Sequence, residues 1–188
     1  SLSNCIFCYH INIFKWALWM KKIIILIFFL VFSFKAHAGC DDALGDGVDY
    51  TNCRFSDGQD LKGSFLPNSN LSFSSFIQVN FDKSIMMNSI LAYGTFSEST
   101  FIRANLYESN LQGANFEKSD FTSANLTRAK FLGATLIEVN FQNANLIEAD
   151  FSSANITNAN FDGANLNNAT WTDGNKCGKG SIGVCKKQ

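Results

Sequence analysis

From Leu61 onward every fifth residue is large and apolar, and the series ends only at Trp171. It contains 23 positions without an insertion, mostly Leu and Phe, with Met86, Ile156 and Trp171 as variants. Two residues before each lies a second series: Gln59, then Ser64, Ser69, Ser74 and their successors, then mainly alanine from Ala104 to Ala169. The position between the two is often Asn or Asp, as at Asn105, Asn110, Asn115, Asp120, Asn125 and Asn165. A helix repeats every 3.6 residues and a strand every 2, so neither explains a period of five. The chain must turn at regular intervals, and four fives close a square coil of 20 residues. Each side then carries one large and one small residue inward, and the other three positions point out.

This A-(N/D)-(L/F)-x-x motif over residues 59–171 resembles the pentapeptide-repeat family. The resemblance implies an all-β fold, a right-handed quadrilateral β-helix of nearly six coils. At a strand spacing of about 4.8 Å the stack would stand about 27 Å tall. The 20-residue period accounts for ten of the 19 phenylalanines. It piles Leu61, Phe81, Phe101, Phe121, Phe141 and Phe161 on one side, and like lies over like on the other three, as a solenoid requires.

Outside the repeats, the stretch from Met20 reads as a secretory leader. Lys21 and Lys22 precede the apolar run Ile23–Phe34, and Ala36-His37-Ala38 supplies a small-residue cleavage motif. A permanent anchor would need about 20 apolar residues, more than this run offers. An acylated Cys40 is a third reading, although His37 stands where an apolar residue is usual. Residues 1–19 read as non-native sequence upstream of Met20. Their Cys5 and Cys8 have no partner pair at metal-binding spacing. Residues 39–58 and 172–188 flank the repeats as caps over open β-edges that would otherwise template aggregation. Each cap carries two cysteines. An even number, placed in pairs at the two ends of an exported chain, predicts Cys40–Cys53 and Cys177–Cys185 disulfides. Within the N-terminal cap, Cys53-Arg54-Phe55 looks like a degenerate repeat one residue out of register.

On the outside, two columns alternate in sign: Glu98, Lys118, Glu138, and Glu108, Arg128, Glu148. They read as surface ladders of modest worth. The N-terminal half instead carries apolar outward residues: Phe65, Phe73, Ile85, Met87, Ile90, Tyr93 and Tyr107. Such a cluster is a candidate surface for a protein partner or for self-association. The competing expectation is that the N-terminal cap folds back over it.

The only histidines, His10 and His37, precede the repeats, and the repeats contain no cysteine. No nucleophile–histidine pair or His/Cys metal site can form there. Acids such as Asp60, Asp82, Glu148 and Asp150 fall on the surface without a concave pocket to perturb them. No enzyme, cofactor or metal is expected. The sequence favours an exported structural or interaction module, periplasmic or secreted, free of the membrane once its leader is removed. The alternative suggested by the resemblance is DNA mimicry toward a topoisomerase, as in quinolone-resistance pentapeptide proteins, which relies on a strongly acidic surface. The repeats here carry ten acids and six bases, a net of only −4. Neither mimicry nor nucleic-acid binding suits that balance.

Overall fold

A computed structural model describes Cys40 and residues 43–187, all within one compact unit, Ala38–Gln188. The leader expected at 20–38 and the stretch 1–19 lie outside the described residues. The repeats form a coil with four sides. Each side contributes a single bridged residue, flanked by turns, to a parallel ladder. Asp60 pairs with Asn80, Asn80 with Thr100 and Thr100 with Asp120, each 20 residues on. Every bridge uses both backbone groups. Asn80 N–H donates up to Gln59 O at 2.9 Å, while Phe81 N–H donates down to Thr100 O at 2.7 Å. Side 1 is centred on Leu61 and Phe81, side 2 on Leu66 and Met86, side 3 on Leu71 and Leu91, and side 4 on Phe76 and Phe96.

Two residues make each corner, and the second takes the left-handed conformation, with φ between 55° and 69° from Gly63 to Asn168. Gly and Asn suit that region, but Glu, Lys and Arg also occupy it here. For a non-glycine residue it costs about 1–2 kcal/mol. The repeated Asn and Asp offset part of that cost. Every Asn or Asp at a bridge position from Asp49 to Asn165 accepts the N–H two residues on, as in an Asx turn. Glu117 N–H to Asn115 Oδ1, at 3.0 Å, is typical. The Asn in the motif is therefore a corner cap.

Inside, the large residues stack. Phe81, Phe101, Phe121 and Phe141 lie nearly parallel, with centroids 5.0, 4.6 and 5.4 Å apart. A second aromatic stack runs beside them. In the upper coils it occupies side 4, through Phe76, Phe96 and Phe116. In the lower coils it crosses to side 3, where Phe131 and Phe151 stack at 5.1 Å and Trp171 closes the series. Leu136 and Ile156 then take side 4. From Phe81 to Ile156 each coil thus holds two aromatic and two aliphatic residues, which keeps its interior volume nearly constant.

The ladder begins before residue 59. Asp49 pairs with Asn70 and Arg54 with Ser75, offset by 21 residues instead of 20. Tyr50 is buried above side 3, and Phe55 stacks on Phe76 at 4.2 Å. The corner at Ser56–Gly58 takes up the extra residue, so the period conceals a register that the core preserves. Half of the expected N-terminal cap is therefore solenoid. At the other end the chain reverses and runs antiparallel beneath sides 2 and 3. Leu166 N–H donates to Ser181 O at 2.8 Å, and Cys177 N–H to Ala169 O at 2.8 Å. This return satisfies groups that a further coil would have used.

Candidate interaction surface

Phe65 and Ile85 are consecutive rungs on the outside of side 2, and Ile90 is a rung on the adjoining side 3. Phe73 and Tyr93 sit one above the other at the next corner, with ring centroids 5.2 Å apart and planes 14° from parallel. Their exposures are 52% for Phe65, 58% for Phe73, 36% for Ile85, 40% for Ile90 and 52% for Tyr93. Met87, on the corner between sides 2 and 3, is half-buried. Among the described residues, the N-terminal segment leaves these side chains open to solvent.

Tyr93 lies flat against the corner below it. A Cβ on Gly113 would stand 2.6 Å from the Tyr93 ring, and Gly113 itself has φ +64°. Glycine serves there for the space it leaves to the ring, since other side chains adopt the same φ at equivalent corners. The Tyr93 hydroxyl accepts from Gln112 Nε2 at 3.1 Å. Tyr107 belongs to a different structure. It is half-buried, its hydroxyl donates to Glu108 Oε1 at 2.7 Å and accepts from Arg128 Nη1 at 3.2 Å.

Arg128 also bridges the acids above and below it, Glu108 at 3.0 Å and Glu148 at 2.7 Å. The Tyr107 hydroxyl and then Arg128 hold the Glu108 carboxyl below its usual range. Glu148 and Glu108 together hold the guanidinium in its charged form. The other sign-alternating column makes no such ladder. Lys118 pairs with its neighbour Glu117 at 3.8 Å, and Glu98 accepts from Gln78 Nε2 at 2.9 Å. Lys118 turns to its neighbour on the same corner, and Glu98 is taken up by the amide one coil above it.

Disulfides join Cys40 to Cys53 and Cys177 to Cys185, with Cα atoms 5.4 and 5.0 Å apart. A further ion pair, Lys187 with Asp173, fastens the C-terminal return. The Lys187 bond and the Asn175 N–H lower the Asp173 pKa to about 2. At the N-terminal mouth a recess of about 510 Å³ opens between Leu44 and the buried Phe55 and Leu61. Among the described residues no group of His, Cys, Asp and Glu could hold a metal ion, and no helix is long and apolar enough to cross a membrane.

The family profile described as pentapeptide repeats matches eight copies, over residues 59–92, 99–136 and 134–170. The chain belongs to the pentapeptide-repeat family, and its four-sided coil is that family's right-handed quadrilateral β-helix. No curated protein sequence matches it significantly. Among solved structures, it is similar to QnrB1, a plasmid-mediated fluoroquinolone resistance protein, at 18% identity, covering 66% of this chain and 73% of that one with a TM-score of 0.46. Rfr23, a pentapeptide repeat protein of the cyanobacterium Cyanothece 51142, aligns at 18% identity over 68% of this chain and 88% of that one, TM-score 0.41. A pentapeptide repeat protein of the Arabidopsis thaliana thylakoid lumen aligns at 22% identity over 64% and 70%, TM-score 0.31.

Proposed function

We propose that this protein is an exported, non-enzymatic interaction module, periplasmic or secreted, in which a stack of nearly six coils presents a binding surface from its N-terminal half. The observation that carries this reading is the one-sided apolar patch of Phe65, Phe73, Ile85, Ile90 and Tyr93. Outward positions on a solenoid contribute little to folding, because stability comes from the inward stacks, and polar residues fill most of them elsewhere in this chain. A disulfide at each end supports an oxidising compartment. Mimicry of DNA is a poorer fit. The repeats are weakly acidic, and three of their charges are spent on the internal Glu108–Arg128–Glu148 ladder.

The test has two parts. Mass spectrometry of the exported product should find a chain beginning at Gly39, recovered from periplasm or medium. Changing Ile85, Met87 and Tyr93 together to Ser should leave the melting temperature nearly unchanged and abolish recovery of whatever the wild type binds in a pull-down. Retention of the product in the cytoplasm would overturn the export. Undiminished binding by the triple variant would overturn the surface.

A further inference from the structure

Both ends of the rod are closed over one half and open over the other. At the N-terminal end, residues 45–49 lie over side 3 and the corner before it. Gly47 N–H donates to Pro67 O at 2.9 Å, and Gly45 O accepts from Ser69 Oγ at 3.2 Å. Sides 4, 1 and 2 stay open. Among the described residues, the backbone N–H and C=O groups of Arg54, Asp60 and Phe65 find no partner. At the C-terminal end the return closes sides 2 and 3 and leaves sides 4 and 1. The N–H groups of Ile156 and Phe161 find no partner there among the described residues, nor do the C=O groups of Ala154 and Ala159. Ile156 and Ala159 are only partly buried, whereas Leu136 and Val139 above them are fully buried. An open β-edge is a template for another chain, which proteins ordinarily block.

The two ends also carry opposite charge. Residues 43–60 hold four acids and one base, a net of −3, and residues 172–187 hold four lysines and one acid, a net of +3. All ten of these side chains are exposed. Apolar surface matches as well. Val184, 59% exposed, follows Gly183, which packs beneath the corner between sides 1 and 2. The N-terminal recess of about 510 Å³ offers Leu44, Phe55 and Leu61 to such a side chain, with Asp57 in its lining. A copy turned by half a turn about the rod axis sets its return over the open sides 4 and 1 of the next copy. Its own open sides 4 and 1 then meet that copy's residues 45–49, so the two steps interlock. Like ends would set −3 against −3 or +3 against +3. The complement of each end, in charge and in step, is the other end of the same chain.

We infer that the chain associates end to end with copies of itself, the C-terminal return of one seated on the N-terminal mouth of the next. The contact is heterologous and its half turn does not close, so it extends as a filament. It leaves the apolar patch on sides 2 and 3 free and does not depend on that patch having a partner. An end face about 20 Å across, side chains included, buries less than the roughly 800 Å² per partner of a standard interface. Assembly is therefore reversible and weakened by salt.

Two charge-reversed variants of the exported chain test this. Asp57→Lys with Asp60→Lys takes the N-terminal end from −3 to +1, and Lys179→Glu with Lys186→Glu takes the C-terminal end from +3 to −1. At about 100 µM and low salt, the wild type should sediment as a series of multiples of the chain mass, and each variant alone should lose at least about tenfold in association constant. An equimolar mixture of the two should recover the wild-type value, because each reversed end then meets its complement. Thermal melts establish that both variants fold. A photo-crosslinking phenylalanine analogue at residue 184 of the otherwise unchanged chain should join residues 43–61 of another copy, whatever the variants do. A wild type that stays at a single chain mass overturns the inference. So do folded variants that assemble like the wild type or fail to recover on mixing, and a crosslink that joins like ends or a different protein.

Discussion

The upper and lower halves of this solenoid share one backbone and differ in what they attach to it. In the upper half, the small inward positions are mainly serine. Ser89, Ser99, Ser109 and Ser119 reach up to the carbonyls of Leu66, Phe76, Met86 and Phe96, at 2.6–2.8 Å. In the lower half the same positions are alanine or Val139, which make no such bond. The second aromatic stack lies on side 4 above and on side 3 below. Outside, the first two coils are apolar on sides 2 and 3, and the coils below them are amide-capped there and laced by the Arg128 ladder. The coil therefore accepts different chemistry inward and outward, provided volume and corner geometry are kept. The inward differences are alternative ways to fill a coil, whereas the outward ones would, on the proposed function, give the halves different tasks.

The strongest test of that division sets interior against exterior. Phe121→Ala removes a fully buried ring at the junction of the halves and should destabilise by about 3–5 kcal/mol in denaturant unfolding. A loss no greater than that of an exterior change would break the proposed register. Next comes the inward serine. The Ser99 hydroxyl donates to Phe76 O at 2.6 Å and accepts from Val79 N–H at 3.0 Å. Ser99→Ala would leave both buried and unpaired, a loss of about 1–3 kcal/mol. Ala134→Gly in the lower half breaks no side-chain bond, and its smaller loss would measure the difference between the two fillings.

A smaller effect of opposite sign is expected at the patch. Ile90→Asn gives the Ala92 N–H the cap that Asn110 gives Gln112, at 3.1 Å. It should raise stability by about 0.5–1 kcal/mol in thermal melts while weakening binding at the patch. A destabilised Ile90→Asn variant would mean that Ile90 supports the fold. The smallest effect is one of pH. The carboxyl of Asp173 titrates at about 2 in the folded protein, against an ordinary 3.8. Its bond to Lys187 therefore contributes stability above pH 4, and that contribution fades as the pH falls from 3.8 toward 2. Amide exchange at Cys177 and Gly183 should speed up across that window, with no matching change at Phe121. Equal acceleration at Phe121 would show that the C-terminal return does not open independently.

Much of this architecture is legible in the sequence because period five is rigid. A large residue at every fifth place fixes side, height and inward direction together, so the stacks from Leu61 to Trp171 can be written down directly. Cys53-Arg54-Phe55 is visible as a repeat out of register. Its pairing is not, because only the folded corner shows where the surplus residue goes. The apolar outward residues are also legible. Tyr107 is misleading, since its hydroxyl joins the Glu108–Arg128 network and its ring is half-covered. The Glu98–Lys118–Glu138 column fails for a related reason. A long side chain at a corner chooses between vertical and lateral partners of similar worth, and alternation in sign does not decide between them. The C-terminal return over Asp173–Lys187 has no period at all, so its antiparallel course beneath sides 2 and 3 could not be read in advance.

The 20-residue register also makes this rod an angular dial. One pentapeptide inserted below Gly113 would advance the chain by one side. Everything beneath it would descend by about a quarter of the 4.8 Å coil spacing and rotate by about a quarter turn. The apolar patch would stay where it is, while the C-terminal return and its disulfide swung from beneath sides 2 and 3 to the neighbouring pair. Two such insertions would carry them to the opposite side of the rod. Relatives built on this backbone could therefore aim two ends in four relative directions with no new contact designed, by adding or deleting repeats between them.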